Sequence, residues 1–215
     1  MSVEAYDPAD LMVHTLVAHL DGLKASLGLT RVNEGWPHAD RRLVMPAVTV
    51  TAARDDNEPH SPQALSTRVN GTGPGDTGEQ TVRVGRGTAR LQLDLWTSSR
   101  PERKRLKRKL VALLSGTSDR PALWLDAVPW GESTQPAALD GVTVAYRYNG
   151  SRLLDGEGAV GRDEYRAVLE VEADVDSVVV EDGVPVHVVT ELTATVGVDP
   201  DSTEAETFED DDTEL

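Results

Sequence analysis

The chain has 215 residues, 37 Asp and Glu against 21 Lys and Arg, and a formal net charge of -16. That length suits one domain with a tail, and with aromatics at 4% the core must be filled by Val, Leu and Ala. The absence of cysteine excludes disulfides, thiolate metal sites and cysteine nucleophiles, and no apolar run approaches the ~18 residues of a membrane span.

The first predicted element is an amphipathic helix over 8–27. Asp7 is its N-cap, Pro8 suits the first position and Asp10 places a negative charge in the first turn. Leu16, Leu20, Leu23 and Leu27 recur at helical spacing, and Gly28 stops the run. Leu43–Met45 and Ala47–Thr51 read as strand, with Pro46 marking an edge or a bulge. Residues 54–80 turn polar, from Asp55-Asp56-Asn57-Glu58-Pro59 to the Gly-rich run 70–78, and predict a mobile loop. Their glycines lack the spacing, the lead-in strand and the following helix of a phosphate-binding turn.

A strand follows, in which Ala89, Leu91, Leu93 and Leu95 alternate with Arg90, Gln92, Asp94 and Trp96. It leads into a helix over 100–115. Ser99 and Glu102 have capping-box spacing, Gly116 is the stop, and Leu106, Leu110, Leu113 and Leu114 form the buried stripe. Ala122–Val128 and Gly141–Tyr148 read as further strands, with Val142, Val144, Tyr146 and Tyr148 on one face. Residues 164–198 predict a long hairpin turning at Asp182-Gly183, with arms of ~14 residues against a typical strand of ~5–6. In its first arm Glu170, Glu172, Asp174 and Asp176 line the polar face. A hairpin this long overhangs its own core, so its outer half is expected to pack on another subunit. Residues 1–198 are thus one domain, and 199–215, with nine acidic residues, a disordered acidic tail. The expected fold is α+β, a mainly antiparallel sheet carrying two amphipathic helices.

Residues 100–109 hold seven of the 21 basic residues, including three of the four lysines. On the helical wheel Lys104, Arg105 and Arg108 point away from the leucine stripe. Arg103 and Lys109 flank it, their stems covering apolar surface while their charges reach out. Arg103, Lys104 and Arg105 also sit in early turns, where the helix dipole disfavours cations by ~0.3–1 kcal/mol each. Local stability favours Glu or Asp there, so the island implies a contact surface for something anionic. Candidate contact residues are Arg103, Lys104, Arg105, Lys107, Arg108 and Lys109, facing either nucleic acid or an acidic surface of another copy, such as Glu170, Glu172 and Asp174 or the tail near Asp210. Aromatic interleaving and a helix-turn-helix are lacking, and the net charge has the wrong sign for a dedicated nucleic-acid binder.

No catalytic, cofactor or metal site is expected. The five histidines are dispersed, His14 and His19 fall five apart rather than on one helix face, and no nucleophile elbow or Walker loop occurs. The Asp210-Asp211-Asp212 run lacks the Gly turn and spaced ligands of a calcium loop. No secretory apolar region follows Met1, so a soluble chain with no membrane partner is expected. The scarcity of Lys outside the island and the abundance of Asp match proteins of extreme halophiles; a GC-rich genome is the alternative source of the same bias.

The order of elements resembles the tail-terminator and tail-completion proteins of tailed viruses. It is carried by the helix 8–27, the Pro-containing strand Met45–Val50, and the strand Leu91–Trp96 running into a helix with Leu106 and Leu110. The likeness spans roughly residues 8–116 and rests on pattern, not on an invariant motif. It implies a homo-oligomeric ring, commonly a hexamer, at the head-proximal end of a tail tube. The implied partners are further copies of the chain, the tail tube protein and a neck or connector protein, with packaged DNA in the lumen as a further contact. The implied location is the virion, after assembly in the host cytoplasm. With the acidic composition, a haloarchaeal host is the natural setting. The insert at 54–80, the long hairpin and the acidic tail depart from the compact members of that family. A neck adaptor or a freestanding β-rich binding module are the alternatives.

Overall fold

A computed structural model describes residues 2–35, 43–69, 77–116, 122–129, 138–155 and 165–185. In chain order they form β1 (Ser2–Ala5), α1 (Pro8–Gly22), α2 (Lys24–Leu27), β2 (Arg31–Glu34), β3 (Ala47–Val69) and β4 (Thr77–Thr97), then α3 (Arg100–Leu114), β5 (Leu123–Asp126), β6 (Thr143–Asp155) and β7 (Tyr165–Pro185). The strands make one sheet in the order β2-β3-β4-β7-β6-β5, with β1 joined to β7 past the end of β6. Among these pairings only β2 with β3 is parallel. The architecture is the expected α+β class, with helices packed on a mainly antiparallel sheet.

The period-2 pattern of β4 becomes the core. Ala89, Leu91, Leu93 and Leu95 are buried opposite Ala173, Val171, Leu169 and Ala167 of β7. Leu16 and Leu20 of α1, with Leu106, Leu110 and Leu114 of α3, close over the same face, each stabilising by about 1.5–3 kcal/mol through burial. Tyr146 of β6 is also fully buried, and its hydroxyl donates to the Met12 carbonyl at 2.7 Å, which ties α1 to the sheet. Burial holds that phenol far above its ordinary pKa.

The expected N-cap is made: the Asp7 carboxylate accepts from Ala9 N at 2.7 Å and Asp10 N at 3.4 Å. The expected single helix 8–27 is interrupted at Leu23, which sits at φ -96° and ψ 0°. The chain resumes as α2 and ends at Gly28, whose φ of +81° is a left-handed conformation that glycine adopts without a Cβ penalty. There Leu29 N donates to Lys24 O at 2.8 Å and Gly28 N to Ala25 O at 3.2 Å, the paired bonds of a Schellman stop.

Two sequence expectations are corrected. The loop at 54–80 is mostly strand: β3 continues to Val69 and β4 begins at Thr77, with Arg68 opposite Glu79. Ladder hydrogen bonds hold these polar residues extended, from β4 alone along β3 and from both β3 and β7 along β4, so no apolar alternation is needed. Pro59 and Pro62 are tolerated because β3 is an edge there, β2 pairing only with Ala47–Val50. The turn at Asp182-Gly183 is likewise absent. β7 passes through it to Pro185, with a register shift that leaves Gly183 unmatched between Asp182 and Val184. Pairing with β4 and β1 on opposite edges keeps the segment extended. The rest of the predicted hairpin, 186–198, and the acidic tail lie outside the described residues.

The overhang therefore has a different origin from the one predicted. At the first turn of α1, Pro8 packs so closely on Gly87 of β4 that a Cβ there would collide with its ring. Past this contact β4 runs from Arg86 to Thr77, about 33 Å at ~3.3 Å per residue, flanked by β3 and β7. Residues 58–64 of β3 are all exposed in this arm.

Candidate interaction surface

The basic helix α3 forms where its caps predict. Ser99 is extended (φ -148°, ψ 152°) and its hydroxyl accepts from Glu102 N at 3.4 Å. The Glu102 carboxylate accepts from Ser98 Oγ at 3.3 Å, a variation on the expected capping box. At the far end Gly116 takes φ +68°. Of the predicted stripe Leu106, Leu110 and Leu114 are buried and Leu113 is half-buried, so the opposite side of the helix faces outward.

The two flanking cations do not reach out. Arg103 is 2% exposed, and its guanidinium donates to the carbonyls of Leu154 at 3.3 Å and Arg166 at 3.2 Å. These two residues face each other in the β6–β7 ladder, so the one Nη1 group bridges both carbonyls near its end. Tyr165 adds its ring, 5.7 Å from the guanidinium carbon. The expectation that the Arg103 charge serves a contact surface is therefore overturned: the guanidinium is taken up by carbonyl oxygens near the sheet end. Lys109 is exposed, but its ammonium donates to Ser26 O at 2.8 Å and Leu27 O at 3.0 Å. With the Schellman bonds to Lys24 and Ala25, this satisfies the last four carbonyls of α2 and sets a cation on that helix's negative end. Arg103 and Lys109 together fasten α3 at two points.

What remains of the island divides by side. Arg105 is exposed and leans toward Gly28. Lys104 and Arg108 are exposed and Lys107 is half-buried; with Val111 and Ala112 they form one wall of a groove of about 540 Å³. The other wall is β6, through Tyr148, Ser151 and Leu153. Tyr148 donates to Ser151 Oγ at 2.9 Å, and Leu153 is 44% exposed. Cations line one rim and apolar groups the interior. Lys107, which the wheel does not separate from the rest, belongs to this stripe because residues three and four apart share a helix face.

The groove opens beside a sheet edge. β5 covers β6 only from Thr143 to Tyr146, and among the described residues no strand pairs with that edge from Arg147 to Asp155. Nothing in the alternation of 141–148 signals this wall, because a register shift between Tyr148 and Gly150 separates it from the readable pattern.

The acidic row of β7 lies on the face opposite the helices, and much of it is engaged within the chain. Asp174 pairs with Arg86 at 3.3 Å, Glu172 with Arg147 at 3.7 Å and Asp176 with Arg83 at 3.0 Å; Glu170 is exposed. The fold does not bring Glu170, Glu172 and Asp174 to α3, which covers the other face. On the same outer face Asp94 is fully buried, held by Arg166 at 2.7 Å and by Gln92 at 2.9 Å. Arg166 in turn lies 4.9 Å from the Trp96 ring, and Trp96 donates to Thr49 at 3.3 Å. Simple alternation places Asp94 in solvent, so this buried pair was not legible in the sequence.

The described histidines serve α1 and the arm. His14 Nδ1 lies 3.9 Å from Glu34, whose carboxyl is pushed up by burial and pulled back down in part by His14. His19 is pushed down by burial alone. No protein-family model matches the chain, and no curated protein shows significant similarity to it.

Proposed function

We propose that this chain is a structural virion protein that forms a ring, most simply a hexamer, at the head-proximal end of a viral tail tube. In that role it completes the tail and joins it to the neck, without catalysis. The observation that carries the reading is the arm of β3, β4 and β7, edged by β1, that projects past α1. It continues the sheet for about 33 Å while leaving residues 58–64 exposed, a form suited to lying across a neighbouring subunit. The order helix, strand, strand-into-helix and the net charge of -16 agree with a tail-completion role in a haloarchaeal virus.

In the ring the outward cations of α3 are the contact charges. Single exposed pairs contribute only ~0–1 kcal/mol, so they act as a cluster. Reversing Lys104, Arg105 and Arg108 to Glu should leave the circular dichroism spectrum unchanged and impair ring assembly and virion yield. Normal assembly from that triple variant removes the contact role. A virion reconstruction, or native mass spectrometry of the assembled complex, tests the ring itself; a protomer making no self-contact in its working assembly overturns it. Gene position separates the readings cheaply, since a metabolic operon contradicts a virion protein.

A further inference from the structure

The groove between α3 and β6 presents three features at once. Lys104, Lys107 and Arg108 form a cationic rim, Leu153 and Val111 offer apolar surface, and the β6 edge from Arg147 to Asp155 is uncovered among the described residues. Together they select an extended anionic segment with an apolar anchor: the edge offers backbone hydrogen bonds, and the walls discriminate side chains. The chain contains one such segment. In residues 204–214 the even positions are Glu204, Glu206, Phe208, Asp210, Asp212 and Glu214. As a strand, one face of that segment is acidic throughout except for the chain's only Phe. The odd face carries Ala205, Thr207 and Thr213 among its members.

The geometry points to residues 204–214 of a neighbouring copy adding as a strand to the β6 edge, with Phe208 in the groove and the even-numbered acids against Lys104, Lys107 and Arg108. The acidic row of β7 is the weaker candidate, because Glu172 and Asp174 already face Arg147 and Arg86. A neighbour is favoured over the same chain by length. Leu169 lies opposite Ser151, and β7 then runs sixteen residues to Pro185, about 53 Å along the strand at ~3.3 Å per residue. Residues 186–207, which lead to Phe208, span at most about 73–79 Å when fully extended. Folding back onto its own groove therefore holds that tether at about 70% of its full reach, at a cost in chain entropy. The assignment to a neighbour rests on the ring reading. The groove pairing does not, so a virion lacking such a ring sinks that reading without touching the pairing.

The absence of native cysteine makes cross-linking a clean test. Full-length chains carrying Ser151→Cys are mixed with chains carrying Cys at Glu206, Asp210 or Asp212, then oxidised. Disulfide dimers should form from at least one even-position variant about tenfold faster than with Thr88→Cys, an exposed control on the outer face. Phe208→Ala, or reversal of Lys104, Lys107 and Arg108 to Glu, should bring the rate down to that control. Cysteine at Thr207 or Thr213 should react more slowly than its even-numbered neighbours. Equal rates with Thr88→Cys overturn the docking. A doubly substituted chain that closes on itself as a monomer overturns the assignment to a neighbour.

Discussion

Arg103 offers the sharpest separation between folding and contact roles within one helix. Replacing it with Ala removes a guanidinium that bridges the carbonyls of Leu154 and Arg166, paired one step from the end of the β6–β7 ladder. Hydrogen bonds involving a charged group contribute ~1.5–3 kcal/mol each, and a buried carbonyl left without a donor costs ~1–3 kcal/mol. Against this, the variant no longer desolvates a cation, which recovers part of the loss. The net expectation is a destabilisation of about 2–4 kcal/mol, within the range of a broken buried network. Arg103→Lys should fall between, since an ammonium can donate to both carbonyls but loses the guanidinium plane beside Tyr165. Arg105→Ala, on the exposed side of the same helix, should stay within about 0.5 kcal/mol of the parent. Urea unfolding followed by circular dichroism measures this without adding salt; the midpoint should shift at constant slope. If Arg103→Ala and Arg105→Ala unfold at the same midpoint, Arg103 is not a clamp, and its burial has no energetic meaning.

Three further outcomes follow from the geometry. Gly87→Ala sets a Cβ against Pro8 and should destabilise by about 1–3 kcal/mol through forced separation of α1 from β4, measured by thermal unfolding. Arg166→Met leaves the fully buried Asp94 without its cation and should cost about 3–5 kcal/mol, whereas the double variant with Asp94→Leu should recover much of it; equal loss in both variants contradicts the pairing. His19 is held neutral by burial, so its folded pKa lies below the unfolded value. Its contribution is present above the unfolded pKa of ~6.5 and is lost as pH falls through the lower folded value. His19→Gln should flatten the fall of stability over that window, read from urea midpoints at a series of pH values.

How much was legible in the sequence depends on where each element's stability originates. Apolar periodicity and local capping fixed the helices and the central strands, because the information lies within a few residues of each feature. Asp7, Ser99, Gly28 and Gly116 all act as their local chemistry dictates, and Leu91, Leu93 and Leu95 bury as their spacing demands. The polar arm carries no local signal for a physical reason. Its strands are held by backbone bonds to partners distant in sequence, and a strand exposed on both faces leaves no hydrophobic signature.

The candidate surface divides in the same way. Sequence alone determined that seven cations cluster on one helix with a leucine stripe behind them. Which of those charges are available was decided only by tertiary structure. Arg103 meets carbonyls of β6 and β7, and Lys109 meets the end of α2, each more than 50 residues away along the chain. The groove beside Lys104, Lys107 and Arg108 exists because β6 outlasts its neighbour β5, a difference in strand length that no local pattern encodes. Charge is a property of residues, whereas its partner is a property of the fold.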